Sequence, residues 1–574
     1  MAAPLSGVVS PSLKFRSTTP ISRSFAPRIG VLSLERDCAG DATTTSHLEL
    51  ATPGLLTNTS RGVIPHLSWD HVQKTTAIGW VHVPFETFLE QTPPVPTLVP
   101  GDRPLHTFLG LQDKRHILSV SLRDPNDARE IPPNGKDYVS AMTVRGKKQV
   151  TNSAYHDYAT AVKPDIIFAL SDILIVPQPP SERRVIKSLE RSLRWLAQLL
   201  HSTAKPNAKL PNIFVHMAGG IDDVARDDFA TGLMEALEGT DARELKPLGL
   251  ETLEEGVSGF SVDLVPLKHE LALTRSSSNT GHDTTQTLID LVQISLKALP
   301  QGKPRLLTGV FSPHEILRFT QIGFDMFDAH FAQRAADWGI ALDFRFPCGT
   351  KGKGDEETTH REIGVNLYGE QYAMDFGRLA ESFRGESSQD QGDEPIPICP
   401  CIACSPQFSS NPLLQSTPDA ACHVPPTSSS FAPFFTRAYL HHLLHTHEMS
   451  AHTMLAAHNL SILSKFLADI RQSIEKEGEN TFQSQVEHFH KYYRLPDASG
   501  GLFEGAKSRW EDVNLARGKG RLARERAAKE NAIVDESGVV TDPKALNQVS
   551  MGILGAGNRS GVPLDVVTDW VMGG

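Results

Sequence analysis

Three sulfurs fall within six residues at Cys399-Pro400-Cys401-Ile402-Ala403-Cys404, half of the chain's 6 cysteines. C-x-C-x-x-C gathers three thiols around one point, and a tetrahedral zinc then lacks a single soft or borderline ligand. The best candidate is His458, in Ala451-His452-Thr-Met-Leu-Ala-Ala-His458-Asn459. It lies in a segment from about Arg437 to Ile474 whose pattern is helical. A ligand fixed on a helix, facing a cysteine knuckle on a loop, pins that helix to the body of a protein. The rival reading is three unrelated buried thiols. His423, His441, His442, His445, His447 and His452 are rival ligands.

Carboxylates form the second set. Pro164-Asp-Ile-Ile-Phe-Ala-Leu-Ser-Asp172, Gly259-Phe-Ser-Val-Asp263 and Phe324-Asp-Met-Phe-Asp328 are apolar runs that each end in aspartate, and Asn212-Ile-Phe-Val-His216 leads into Met217-Ala-Gly-Gly220. Such runs read as buried strands. Further strands are expected at Ile117–Leu122 and Arg305–Val310, with a basic-tipped hairpin over Val144–Val150. Between them lie helical patterns. One starts at Tyr155, and one spans Glu182–His201 with Val185, Leu189, Leu193 and Leu196 on one face. Others cover Asp223–Leu237 and Thr284–Leu299. A fifth opens at Ser312, a plausible N-cap with Pro313 and Glu315 behind it, and runs to Gly323. Strand and helix in strict alternation predict a parallel sheet with helices outside, and so many units in one stretch favour a closed (β/α)₈ barrel over an open sheet. Active groups of such barrels sit at the C-terminal ends of strands. Asp172, Ala218-Gly219-Gly220, Asp263 and Asp328 should therefore face one mouth.

Upstream, short apolar stretches between Leu13 and Leu34 read as edge strands joined by turns. Thr52-Pro-Gly and Arg61-Gly-Val-Ile-Pro-His66 punctuate the next stretch, and Pro93–Pro104 is a proline-rich loop. Gly364–Asp375 reads as a hairpin leading to the cysteines, between polar insertions at 350–357 and 387–394. Residues 1–12 and the Ser/Pro/Thr-rich loop 405–433 are expected to be disordered. The barrel should span 13–475, with a zinc subdomain over 395–475. A C-terminal extension over 476–574 carries a basic segment at 507–529, where Arg517, Lys519, Arg521, Arg524 and Arg526 make either a solvated tail or an RNA contact.

Composition narrows the class. With 574 residues, 39% hydrophobic and 21% charged, the chain is soluble and globular with irregular stretches. The other cysteines, Cys38, Cys348 and Cys422, are scattered, which argues against a disulfide framework and for a cytoplasmic, reduced setting. No apolar run approaches the roughly 18 residues of a membrane span. A net charge of −11 excludes a globally basic nucleic-acid binder, so RNA contact requires a local patch. The Ser/Pro-rich start with Arg16, Arg23 and Arg28 superficially resembles a transit peptide, yet lacks a convincing amphipathic helix.

Phe435-Thr-Arg-Ala-Tyr-Leu-His-His-Leu-Leu444, Glu448-Met449 and Ala457-His458-Asn459, placed after C-x-C-x-x-C, resemble the zinc subdomain of the tRNA-guanine transglycosylases. Gly323–Asp328 resembles the strand bearing that family's nucleophile, and Pro27–Gly30 and Thr52-Pro53 are similar to its opening strands. The resemblance spans roughly residues 13–475 and implies a structural zinc held by Cys399, Cys401, Cys404 and His458. It also implies base exchange at the tRNA wobble position, guanine-34 for queuine, in tRNAs with GUN anticodons (Asp, Asn, His, Tyr). Asp328 then matches the nucleophile that attacks ribose C1′, and Asp172 the aspartate that reads the purine.

The departures are as telling. The family's Asp-Ser-Gly-Gly-Phe-Gln stretch, carrying the general base, is replaced by Ile117-Leu-Ser-Val-Ser-Leu-Arg-Asp124-Pro. Its Val-Gln-Gly-Gly becomes His216-Met-Ala-Gly-Gly220, so Ala218 stands for the base-reading glutamine. Glycines are missing at Val262–Val265, and Ala329-His-Phe-Ala-Gln-Arg334 replaces a stretch that lines the RNA groove. Ser60–His66, Lys163-Pro-Asp-Ile166, Lys303–Val310 and Asn366–Tyr372 resemble the family's eukaryotic accessory branch. The expectation is a non-catalytic subunit that forms a heterodimer with a catalytic homologue, through a zinc-subdomain helix whose stripe is Leu440, Leu443, Leu444, Leu455 and Leu463. It would be cytoplasmic, with peripheral attachment to the mitochondrial outer surface open. The alternatives are a self-sufficient transglycosylase using Asp328 with a base such as Asp124 or Asp263, and a zinc-stabilised RNA-binding scaffold.

Overall fold

A computed structural model of the chain describes residues 12–19, 25–37, 45–112, 114–143, 145–173, 175–203, 210–275, 284–348, 360–382, 399–404, 435–496 and 501–516. The expectations for residues 1–11, the insertions at 350–357 and 387–394, loop 405–433, Arg517–Arg526, Cys38, Cys422 and His423 lie outside the described residues.

The strands are β1 Leu13–Ser17, β2 Gly30–Asp37, β3 Thr45–Thr52, β4 Gly54–Asn58, β5 Trp80–Pro84, β6 Ile117–Ser121, β7 Tyr138–Thr143, β8 Gly146–Thr151, β9 Ile166–Phe168, β10 Ile213–His216, β11 Gly259–Asp263, β12 Arg305–Thr308, β13 Met326–Asp328, β14 Ile340–Leu342 and β15 Gly364–Asn366. The α-helices are α1 Trp69–Lys74, α2 Pro104–Leu109, α3 Asn152–Val162, α4 Glu182–Thr203, α5 Asp223–Met234, α6 Gly239–Leu245, α7 Leu264–Arg275, α8 Thr284–Lys297, α9 Pro313–Gln321, α10 His330–Asp337, α11 Arg437–His445, α12 Met449–Tyr492 and α13 Leu502–Ala516. One compact unit covers Met1–Glu504; a second begins at Gly505, within α13.

Eight parallel strands close into a barrel in the order β4-β5-β6-β9-β10-β11-β12-β13, with β13 pairing back onto β4. This is the expected (β/α)₈ class. Most of these strands are three to five residues and buried along their length, as strands sandwiched between a filled interior and an outer helical ring must be. Six of them fall on the expected apolar runs; β4 lies just after the Thr52-Pro-Gly turn and β5 in a stretch where no strand is expected.

The antiparallel sheet β1-β2-β3 closes the N-terminal end of the barrel. Its strands alternate: Leu32 and Leu34 are buried while Val31 and Ser33 are not. Leu13, Leu34 and Leu48 pack with Leu56, Trp80, Ile117, Ile166 and Met326 at the strand starts. Two buried ion pairs lock this plug. Arg28 Nε donates to Asp325 Oδ1 at 2.8 Å and Arg36 Nε to Asp165 Oδ1 at 2.7 Å, each aspartate lying just before a barrel strand. With one end sealed, the opposite, C-terminal end is the opening.

Other elements agree with the sequence reading or correct it. The hairpin is β7–β8, and Ser312 caps α9 by accepting from the Glu315 amide at 3.2 Å. Gly364–Asp375 is not a hairpin: β15 pairs instead with β14, because the residues after Asn366 turn into a short 3-10 segment, Glu370–Tyr372. The single helix expected over Arg437–Ile474 is two, broken at His447, whose φ of 66° lies in the left-handed region. The second, α12, runs on to Tyr492 through a non-helical Gly478. The leucine stripe Leu440, Leu443, Leu444, Leu455 and Leu463 is buried in this chain, so it is core and not an exposed face.

Candidate functional site

The three cysteines and His458 converge. His458 Nδ1 lies 3.6 Å from Cys399 Sγ and 3.5 Å from both Cys401 Sγ and Cys404 Sγ. All four ligand atoms fall within 4.8 Å of one another. His458 is fully buried on α12, and the Cys404 amide donates to Cys401 Sγ at 3.3 Å, which tightens the knuckle. The second imidazole nitrogen, Nε2, lies 3.0 Å from the Leu342 carbonyl oxygen. A carbonyl only accepts, so Nε2 carries the hydrogen and Nδ1 turns its lone pair toward the sulfurs.

The rival histidines are engaged elsewhere. His441 Nδ1 lies 2.9 Å from the Leu367 carbonyl, His445 Nε2 3.3 Å from that of Tyr368 and His452 Nδ1 3.0 Å from that of Ala336. His442 and His447 are exposed.

At the barrel mouth, two adjoining concavities share Ile173, Asp263 and Pro266. Asp172, Ala218, Gly219 and Gly220 line one, and Asp124 and His216 the other, so three of the four expected groups (Asp172, the Ala218-Gly219-Gly220 turn and Asp263) do face the mouth. Asp172, however, is taken. Arg184 reaches both of its oxygens at 2.8 Å, Arg191 donates to Oδ2 at 3.0 Å and Asn134 Nδ2 to Oδ1 at 2.7 Å. Its side chain is 0% exposed. Four donors fill the acceptor capacity of a carboxylate, which leaves nothing for a purine edge.

Asp328, at the end of β13, lines neither concavity. It is fully buried, and the Gly309 and Val310 amides donate to its two oxygens at 2.9 and 3.3 Å. Burial pushes its carboxyl up to about 6, against the pull of those amides. Asp124 is pushed up to about 7 by burial, and the nearby carboxylates of Asp127, Glu86 and Asp328 add to the rise. A folded-state pKa above the ordinary 3.8 means that the native protein holds a proton the unfolded chain gives up. The resulting penalty on stability grows as pH climbs from about 4 and is complete above about 7. Asp124→Asn should therefore stabilise the chain relative to wild type, by roughly 1–3 kcal/mol more at pH 8 than at pH 5. Thermal midpoints at the two pH values check this, and an equal shift at both would refute it.

Asp263 is tied within the mouth as well. Burial works to raise its carboxyl, but His216 Nδ1 at 2.8 Å and the Thr308 hydroxyl at 2.6 Å outweigh that and hold it below the ordinary carboxylate range. Beneath lies a network that sequence reasoning missed. Trp80 Nε1 donates to Ser119 Oγ at 2.8 Å, and His82 bridges Ser119 and Ser121 at 2.9 Å on either side. Ser121 spends its hydrogen on the Arg123 carbonyl, so His82 Nε2 must donate to it. Burial drives the His82 imidazole down to about 3, and it stays neutral. Ser121 is thus a bonded structural hydroxyl and not an activated nucleophile. The available signal was a histidine in the apolar run Trp80-Val-His-Val-Pro84.

Around α11 several large apolar side chains are open to solvent. Phe435 stacks on Tyr439 with ring centroids 5.6 Å apart, and Met374, Phe376, Tyr439 and Met449 are exposed. The Gly377 and Asp375 carbonyls accept from the Arg437 and Ala438 amides at 3.1 and 2.7 Å, which fixes this segment against the start of α11. No described helix is long and apolar enough to cross a membrane.

A family model described as "Queuine tRNA-ribosyltransferase" matches residues 27–257 and 272–494. Among curated proteins, the "Queuine tRNA-ribosyltransferase accessory subunit 2" of Aedes aegypti is 24% identical over 453 residues, 79% of this chain and 88% of that protein. The protein of the same name from Drosophila grimshawi is 26% identical over 441 residues (77% and 86%), and that from Ixodes scapularis 25% identical over 439 residues (75% and 91%).

Proposed function

The chain belongs to the queuine tRNA-ribosyltransferase family, and from that premise we propose that it is the accessory, non-catalytic subunit of a two-chain enzyme. Its partner is a catalytic homologue, and the heterodimer exchanges guanine-34 for queuine in tRNAs with GUN anticodons, in the cytoplasm. The observation that carries this reading is the state of the barrel mouth. The carboxylate at the purine-reading position, Asp172, is saturated by Arg184, Arg191 and Asn134, and Asp328 is buried on two backbone amides. A nucleophile must reach ribose C1′ and a base-reading group must meet a purine edge. Neither carboxylate is free to do so.

Zinc is the metal that best fits the Cys399, Cys401, Cys404 and His458 set. An ion ~2.3 Å from sulfur and ~2.0 Å from nitrogen in a tetrahedron sets S···N edges of about 3.5 Å. The separations of 3.5–3.6 Å match that requirement. Four protein ligands close the site, so the metal's part is structural, and the knuckle and α12 are what it joins. The exposed Met374, Phe376, Tyr439 and Met449 around α11 are the side chains offered to the catalytic partner, since core-like apolar side chains left in solvent mark an interaction surface.

Exchange of labelled guanine or queuine on a guanine-34 tRNA tests the reading, with the purified chain alone and with the catalytic homologue added. Activity is expected only in the mixture. Turnover by this chain alone would sink the accessory role and turn attention to Asp124, the half-buried carboxyl near Asp328 whose pKa suits a general base.

A further inference from the structure

β14 pairs with β15 along one edge only, through the register Ile340↔Asn366, Ala341↔Val365 and Leu342↔Gly364. Among the described residues its other edge meets no strand, and a bare strand edge with polar backbone groups turned into a core is costly. Here that edge is met by side chains of α12. Asn459 Oδ1 accepts from the Leu342 amide at 2.9 Å, Asn459 Nδ2 donates to the Ile340 carbonyl at 3.0 Å, and His458 Nε2 donates to the Leu342 carbonyl at 3.0 Å. Asn459 Nδ2 also reaches the Ala332 carbonyl, on α10, at 3.2 Å. Both side chains are fully buried. Two consecutive helical residues thus bond to β14 where a neighbouring strand would. One of the two is also the imidazole that faces the three sulfurs.

We propose that Asn459 is a positioning residue for the metal centre: with His458 it substitutes for a missing strand along β14, so that metal retention and closure of this strand edge rise and fall together. The inference rests on the zinc reading. His458 presents Nδ1 to the sulfurs because Leu342 holds Nε2, and Leu342 is held in place from its amide side by Asn459. Removing the Asn459 side-chain amide frees the Leu342 backbone and with it the orientation of the ligand. Removing the metal frees His458 and leaves the carbonyl of the same residue unguarded.

The test uses the full chain, zinc-loaded, as wild type, Asn459→Leu and Asn459→Asp. Zinc release to an excess of a chromophoric chelator and hydrogen exchange over residues 338–344 are followed together. Outer-shell substitutions weaken metal binding about 10–100-fold. Asn459→Leu should accordingly lose zinc at least tenfold faster and exchange faster over 338–344. Asn459→Asp, which keeps the acceptor for the Leu342 amide and loses the donors, should fall between. Zinc removal from wild type should raise exchange over the same residues while β12 stays protected. Wild-type release by a folded Asn459→Leu, or unchanged exchange over 338–344 once zinc is stripped, overturns the proposal. Should Asn459→Leu not fold, Asn459→Asp with wild-type release and exchange does the same. If the purified wild type carries no zinc, the metal reading fails, and coupling fails with it unless added zinc slows exchange over 338–344.

Discussion

Cys401→Ser is expected to abolish stoichiometric zinc and to cost the chain its partner. Cys401 is 4% exposed, lies 3.5 Å from His458 Nδ1 and accepts a hydrogen bond from the Cys404 amide, so its sulfur is central to the knuckle. Structural zinc sites contribute folding free energy of about 10–16 kcal/mol in isolated peptides, because the ligands are not preassembled in the unfolded chain. Only part of that will appear here, since the barrel has its own core of residues such as Leu56, Trp80, Ile117 and Met326. The loss should be local. Exchange should rise over 399–404 and the first turns of α12, and the barrel strands should stay protected. Assembly should fall at least tenfold, since α11 and the start of α12 carry the exposed Tyr439 and Met449. Metal content by elemental analysis and complex formation by sedimentation check both halves. A variant that loses zinc and still pairs with wild-type affinity would detach these side chains from the partner.

The metal cluster was legible because its ligands are chemically rare and closely spaced, and because His458 sits in a helical pattern that fixes where its side chain points. Six barrel strands were legible for a different reason: each is an apolar run bounded by helix caps or turns. β4 and β5 were not. Gly54–Asn58 carries only two adjacent apolar side chains, Leu55 and Leu56, and Trp80–Pro84 has a histidine at its centre, so neither reads as an apolar run. The break between α11 and α12 was equally hidden, since His447 adopts φ of 66° with no glycine or proline to announce it. The mouth could be read only in part. The resemblance suggests roles for Asp172 and Asp328, but what satisfies them is tertiary. Arg184 and Arg191 lie 12 and 19 residues beyond Asp172, on a helix whose polar face would ordinarily be read as solvated. The donors to Asp328 are backbone amides, which carry no residue signature at all.

Asp172→Ala is expected to destabilise the chain by about 3–5 kcal/mol while leaving queuine insertion by the heterodimer intact at temperatures where the variant is folded. Removing one partner of a buried ion network leaves the others unpaired, and that cost exceeds what the network contributes when whole. Here Arg184 and Arg191 would lose their carboxylate, and Asn134 Nδ2 its acceptor. Arg184→Met together with Arg191→Met in the Asp172→Ala background should recover part of the loss, because no charge is then stranded. A purine-reading aspartate predicts the opposite pattern. Asp172→Asn would then spare stability and lower kcat/KM for queuine by about 10² or more, since a site built to hydrogen-bond a substrate group discriminates strongly when that group is changed. Denaturant midpoints of the free chain and exchange kinetics of the complex separate the two. The clamp geometry favours the first, because a carboxylate already accepting from two arginines and an asparagine would have to surrender those bonds before it could take a base, and no described residue at the mouth replaces them.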